Sequence, residues 1–111
     1  MTLLTSTQQI SFEQDAQLVE NLLETLSREQ TSLVIADIDS IEALIEEKSV
    51  LLQSINITAK SRYAALAANG FEPSEVGMLA WLKHQAKPAI NELWESFQKT
   101  LNQAKEMNRV N

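Results

Sequence analysis

Side chains that could carry acid–base or metal chemistry are few in this sequence. His84 is the only histidine, and cysteine is absent. A metal site in a helical bundle needs histidines and carboxylates that recur at facing positions, and no Glu-x-x-His pair lies near His84. We therefore interpret His84 as a surface residue, and we predict no catalytic metal and no cofactor. Without cysteine, disulfide bonds and thiolate nucleophiles are excluded.

The clustered carboxylates fit solvation and helix capping better than catalysis. Glu46 and Glu47 are adjacent, and adjacent residues of a helix point about 100° apart, so the two cannot easily act on one substrate. Asp37 and Asp39 have short side chains that compete for backbone N–H groups and so favour caps. The sequence has no glycine-rich phosphate loop and no serine in a strand–turn–helix context. These patterns predict a protein that is not an enzyme.

The composition indicates long helices joined by few turns. Hydrophobic residues make up 44 % of the 111 residues, whereas Gly and Pro number two each. Folds with many tight turns need more of both. No stretch approaches the roughly 18 apolar residues of a membrane helix. Residues 1–10 have no basic residue and no sustained apolar run, unlike a signal peptide or an anchor, so we expect a cytoplasmic protein.

The charge of the chain is negative and unevenly distributed. The net charge is −6; residues 1–50 hold ten acidic and two basic residues, giving −8, and residues 51–111 carry +2. Nucleic acid selects clustered Lys and Arg, so this distribution argues against a nucleic-acid partner. An acidic half is more often a solvated face than a substrate site.

Two long helices are predicted by apolar residues that recur every three or four positions, from Phe12 to Val34 and from Ile41 to Leu66. Only a short break separates them, so they should lie antiparallel as a hairpin. Asn69-Gly70 is a strong stop for the second helix. The seam of the hairpin is predicted to contain Val19, Leu22, Leu26, Leu33, Leu44, Leu51 and Ile55.

Residues that favour helix caps set the predicted boundaries. Ser11 can cap the first helix. Asp39 and Glu42 have the spacing of a capping box before the second helix. Ser74 follows a loop and is expected to cap a short helical segment from Glu75 to about Gln85.

The rest of the chain completes an all-α fold. Gly77 should weaken the short segment, and Pro88 either kinks it or opens a last helix at its first turn. We predict a long antiparallel helical hairpin, a short helical segment and a third long helix, packed as a coiled-coil-like bundle. Residues 1–111 should form a single domain, with residues 1–10 as a frayed lead-in.

Two features indicate a binding protein. Lys48 and Arg62 lie on or beside the apolar stripe of the second helix. Their stems can run along the seam while their charges reach water, or they can bind a partner. Residues 76–82 are dense in large apolar side chains, and they either cap the end of the hairpin or take up a partner helix. Part of the apolar surface of residues 76–104 should stay exposed. The predicted partner-binding residues are Met78, Leu79, Trp81, Leu82, Ile90, Trp94, Phe97 and Leu101.

A family resemblance rests on a series of landmarks. The first helix has Leu22-Leu23-x-x-Leu26-x-x-Glu29-x-x-x-Leu33. The break and the second helix have Asp37-x-Asp39-x-Ile41-x-x-Leu44-x-x-x-Lys48-x-x-Leu51-Leu52-x-x-Ile55. Then come Arg62-x-x-x-Leu66-x-x-x-Gly70, Trp81, Trp94, Asn108 and Asn111. In this order, from about residue 15 to the end, the sequence resembles the FlgN-type flagellar export chaperones.

The resemblance implies a chaperone of the hook-associated proteins that form the hook–filament junction. Such a chaperone binds their amphipathic C-terminal helical tails, prevents premature assembly and presents them to components of the flagellar type III export gate. Members of the family often continue beyond the equivalent of Asn111, and much client contact is attributed to that stretch. An alternative is a structural coiled-coil adaptor that self-associates. A catalytic or metal-carrying bundle is disfavoured by the scarcity of His and Cys.

His84→Ala should leave the fold and partner binding nearly unchanged, because a surface histidine contributes little to either. Circular dichroism melts and calorimetric titrations of both proteins check this. Loss of folding on treatment with a chelator would contradict the prediction of no structural metal.

Overall fold

The computed structural model describes residues 9–111, which form four α-helices and no strand. The predicted all-α class is confirmed. Helix α1 spans Glu13–Val34, α2 spans Ile38–Ala68, α3 spans Glu75–Gln85 and α4 spans Pro88–Val110. Apart from Gln9 and Ile10, the lead-in predicted for residues 1–10 lies outside the described residues.

Helix α1 is the central element, because it packs against both α2 and α4. It runs antiparallel to α2, as the ion pair between Asp15 near its start and Arg62 near the end of α2 shows. It runs parallel to α4, since Phe12 lies beside Trp94 and Ser27 lies beside Met107. Helix α3 contacts α2 and lies at the end of the bundle where α2 finishes.

The hairpin seam largely follows the predicted positions. Leu26 is fully buried, and Leu51 and Ile55 are half-buried. The buried core joins the hairpin to α3 and α4. Its apolar members are Phe12, Val19, Leu22, Leu26, Leu66, Met78, Leu82, Trp94, Phe97 and Ala104.

The predicted place of Leu33 in the seam is wrong. Its side chain is exposed, and Ser32 takes the buried position at that level. The chain is already turning there, because the carbonyl oxygen of Ser32 accepts a hydrogen bond from the N–H of Asp37 (2.9 Å). The closing turn therefore decides which face of the last helical turn points inward, and the apolar repeat does not.

The predicted Ser11 cap is wrong, and of the two aspartates that favour caps, Asp37 caps α2 while the Asp39 capping box is not formed. Helix α1 begins one residue later than expected, with Phe12 at the N-cap position because its ring is buried against Trp94. The hydroxyl oxygen of Ser11 only accepts a long bond from the N–H of Glu13 (3.4 Å). For α2 the cap is Asp37 rather than Asp39: its carboxylate accepts bonds from the N–H (3.2 Å) and the hydroxyl (2.8 Å) of Ser40.

The remaining boundaries agree with the sequence. Helix α2 ends at Ala68 with Asn69 as its C-cap, and Gly70 follows with φ +84°, a left-handed conformation that glycine adopts without strain. Ser74 caps α3 by accepting a bond from the N–H of Gly77 (3.4 Å). Pro88 is in the first turn of α4, so of the two predicted roles it opens a helix.

Gly77 has a role beyond weakening its helix. A Cβ at this position would collide with the backbone carbonyl of Glu72, which packs directly onto the glycine. The loop between α2 and α3 can therefore fold back onto α3 only because residue 77 lacks a side chain.

Leu26→Ala should lower the free energy of unfolding by about 2–5 kcal/mol, because it leaves a cavity where a fully buried side chain stood. Leu52→Ala is the matched control on α2, since Leu52 is exposed, and it should change stability by less than about 1 kcal/mol. Urea unfolding followed by circular dichroism measures both. Equal losses in the two variants would contradict the seam.

Candidate functional site

The guanidinium group of Arg62 on α2 contacts residues of the other three helices at the end of the bundle where α2 finishes. Arg62 is buried, and its Nη1 lies 3.1 Å from Oδ2 of Asp15 on α1. Its Nη2 lies 3.5 Å from Oε2 of Glu75 on α3. The guanidinium carbon lies 5.3 Å from the centre of the Trp94 ring and 5.8 Å from that of Phe97, both on α4. The prediction that the charge of Arg62 reaches water is therefore wrong.

Burial raises the pKa of Asp15 above its usual 3.8, and the neighbouring Arg62 guanidinium acts in the opposite direction without cancelling that rise. Burial therefore disfavours the ionised form of the Asp15 carboxyl group. The Arg62 guanidinium supplies the counter-charge that offsets part of that desolvation cost.

Lys48 takes part in a second polar cluster, at the other end of α4. Its Nζ lies 3.1 Å from Oε2 of the buried Glu29. Oε1 of the same carboxylate accepts a bond from the side-chain amide of Asn111 (3.1 Å), which also donates to the carbonyl oxygen of Leu26 (2.8 Å). Both basic residues that the sequence singled out are therefore paired within the fold, and they join α1 to its neighbours.

The predicted partner-binding residues divide by exposure. Met78, Leu82, Trp94 and Phe97 are buried in the core. Trp81, Ile90 and Leu101 are half-buried and pack against it. Leu79 is exposed. Substitutions at the buried positions would therefore change the stability of the fold, and any effect on partner binding would be secondary to that change. Partner binding by the eight residues stays a prediction.

An open groove of about 1410 Å³ runs between α1, α3 and α4. Three of the predicted residues line it: Leu79 and Leu82 from α3, and Trp94 from α4. Helix α4 borders the groove along most of its length, from Asn91 to Val110. The other predicted residues do not line this groove.

Several groove residues were missed by the sequence reading. Leu23 was assigned to the hairpin stripe, yet its exposed side faces the groove. Met107 and Val110 continue the α4 stripe by one more turn beyond Ala104, at spacing of three residues. That spacing of three residues is the sequence signal that could have found them.

The groove lining mixes apolar side chains with amides and charges of both signs. Two lysines and two glutamates line the groove: Lys83, Lys99, Glu95 and Glu106. Within residues 9–111, the buried Nε2 of Gln98 has no hydrogen-bond partner, although Gln98 lines the groove. An unpartnered buried donor of this kind costs free energy in the folded chain.

Other site types find no support in the described part of the chain. Among residues 9–111, no three His, Asp or Glu side chains form a group that could hold a metal ion. None of the helices described there is long and apolar enough to cross a membrane. The groove is the candidate site that we consider further.

Comparison with known proteins places the chain in a family. The model of the family described as FlgN protein matches residues 1–111, the whole chain. This chain belongs to the FlgN family. No curated protein and no solved structure matches it. FlgN is a chaperone family rather than an enzyme family, and membership confirms the resemblance inferred from the leucine, Asp, Lys and Arg landmarks.

The structure gives a physical reason for several of the sequence landmarks of this FlgN chain. Lys48 and Arg62 pair with acidic residues of α1, so they set the register of the hairpin. Gly70 ends α2 in a conformation that favours glycine. Lys48, Arg62 and Gly70 are thus explained by their roles in holding the fold together. None of these three residues lines the groove.

Arg62→Met should lower the free energy of unfolding by about 3–5 kcal/mol at neutral pH, because it leaves Asp15 ionised and buried without a counter-charge. The pKa of Asp15 is already raised, so its ionisation lowers stability as pH rises above 3.8. Removing Arg62 should raise that pKa further. The penalty should therefore shrink as pH falls and Asp15 becomes protonated.

Adding Asp15→Asn to Arg62→Met is the control for this explanation. The double variant should recover much of the loss at neutral pH, and its remaining deficit should be nearly independent of pH. Urea denaturation at several pH values measures each difference. A penalty of Arg62→Met that does not change with pH would contradict the role assigned to Asp15.

Proposed function

We propose that this FlgN protein is a cytoplasmic export chaperone. It binds the amphipathic C-terminal helical tails of hook-associated junction proteins and delivers these clients to the flagellar type III export apparatus. Family membership supplies the flagellar context. The single observation that supports a helical client is the open groove between α1, α3 and α4.

The groove has the form that an added helix requires. Its walls are the parallel helices α1 and α4, and their lining residues recur at steps of three and four, as in Leu23, Ser27 and Gln30. Two helices with facing stripes of this kind leave a trough into which the ridge of a third can pack. The stretch from Asn91 to Val110 is about 29 Å long, enough for roughly five turns of a client helix.

Binding of this kind would serve a chaperone. The apolar face of an amphipathic tail is an aggregation hazard while it is exposed to water. Burying that face in the groove removes the hazard. The amides and mixed charges of the lining give the polar residues of the tail partners as well, so release does not require breaking a wholly apolar interface.

Leu79→Asp should weaken binding of a client tail by about tenfold or more, because it places a charge on the apolar wall of the groove. Val76→Asp is the matched control: it introduces the same charge on the same helix, at a position that is 68 % exposed against 59 % for Leu79 and does not line the groove. Isothermal calorimetry with the full chain and a synthetic C-terminal tail of a hook-associated protein measures the affinity.

Stability and stoichiometry must be followed in the same samples. Both variants should keep the wild-type unfolding temperature, since both side chains are largely in water. Sedimentation should show a one-to-one complex. If Leu79→Asp bound the tail as well as wild type does, the client site would lie elsewhere. If the chain instead formed oligomers that the tail did not dissociate, the self-associating adaptor would be favoured.

A further inference from the structure

The tip of the α1–α2 hairpin exposes a cluster of large apolar side chains. Val34 is 81 % exposed, Ile35 67 % and Ile38 61 %, and Leu33 is exposed beside them. All four fall within six consecutive positions, around the turn that joins the two helices. We call this cluster, Leu33 to Ile38, the hairpin tip.

The usual arrangement of polar and apolar residues is inverted at the tip. Between the two helices, the buried position of α1 is the polar Ser32, while Leu33 and Val34 next to it face water. Moving these apolar side chains from water into the seam would have stabilised the fold. The observed arrangement gives the folded chain no such benefit, so the exposed cluster is suited to contact with another molecule.

The surroundings of the hairpin tip are acidic, and residues 29–47 supply no basic side chain, whether Lys, Arg or His, to neutralise them. Four carboxylates on or just beyond the tip are exposed, those of Asp37, Asp39, Glu42 and Glu46. The basic residues at the two ends of this stretch are already engaged, because Arg28 pairs with Glu47 and Lys48 pairs with Glu29.

This charge decides among the molecules that could cover the tip. Anionic lipid headgroups and nucleic-acid phosphates would be repelled by the carboxylates. A second copy docked tip to tip would bring two acidic clusters together, which is also unfavourable. A protein surface that combines apolar side chains with an excess of Lys and Arg would bury the cluster and neutralise its surroundings.

We propose that the hairpin tip is a second docking site, which binds a partner protein through an apolar surface surrounded by Lys and Arg. The site is separate from the groove. None of residues 33–38 lines the groove. A helix in the groove would thus leave the tip accessible, and both sites could be occupied together.

The test uses a minimal probe of the stated chemistry: a synthetic amphipathic helical peptide of Leu and Lys, with Leu at i, i+3, i+4 and i+7. It is titrated into the isotope-labelled full chain at low ionic strength, and chemical-shift changes map the contact. The changes should centre on residues 33–46. The affinity should fall as salt is added, and a Leu/Glu peptide of the same pattern should not bind.

Two pairs of variants separate the apolar and the charged contributions. Val34→Gln with Ile35→Gln should weaken binding about tenfold or more, whereas Val50→Gln with Ile57→Gln, at positions 59 % and 60 % exposed on α2, should not. Glu42→Gln with Glu46→Gln should weaken binding and reduce its salt dependence. Glu20→Gln with Glu92→Gln makes the same change of charge away from the tip and should have no effect.

The proposal does not depend on the client site. Leu79→Asp, which tests the groove, should leave probe binding unchanged. Shift changes centred on the groove, equal losses in the tip variants and their controls, binding of anionic phosphatidylglycerol vesicles at the tip, or tip-mediated dimerisation would each overturn it.

Discussion

A single buried guanidinium holds the four helices of this FlgN protein together. Arg62 extends from α2, pairs with Asp15 on α1 and Glu75 on α3, and lies against the rings of Trp94 and Phe97 on α4. An arginine suits this position because its planar, fork-shaped group can bond two carboxylates and stack on aromatic rings at once. A lysine offers a point charge and would lose the stacking.

The ion pair between Arg62 and Asp15 also helps to fix the alignment of α1 and α2 along the hairpin. Asp15 opposite Arg62 and Glu29 opposite Lys48 fix the register of the hairpin at two levels. A shift of register would separate both pairs and leave buried charges uncompensated. Helix α4 is tied to α1 by aromatic packing at its start and by Asn111 at its end. Helix α3 contacts mainly α2, so one side of α1 and α4 remains open as the groove.

Among the described residues, apolar surface is exposed at the hairpin tip and beside the groove. Val34, Ile35 and Ile38 are exposed at the hairpin tip, beyond the level of Leu26 and Glu29 at which Asn111 contacts α1. Near the other end, α3 covers part of α2 and leaves Leu79 beside the groove. These exposed apolar surfaces therefore lie at two separate places, on either side of the ion pairs that join α1 to α2.

The helices and most of their ends can be derived from the amino-acid sequence. Spacing of three and four residues marked both arms of the hairpin, and Gly70, Ser74 and Pro88 marked boundaries, because propensity and capping act within a few residues along the chain. The sequence also identifies the family, through landmarks spread over the chain.

Which polar residues are buried and which apolar residues are exposed depends on how the helices pack. Asp15, Glu29 and Ser32 look like surface positions in the sequence, yet they lie in the seam, and Leu33 looks like a seam position, yet it is exposed. Helical periodicity states which residues share a face, but not what that face meets. A buried carboxylate is acceptable only where a distant residue such as Arg62 supplies the counter-charge, and that pairing exists only once the helices have packed.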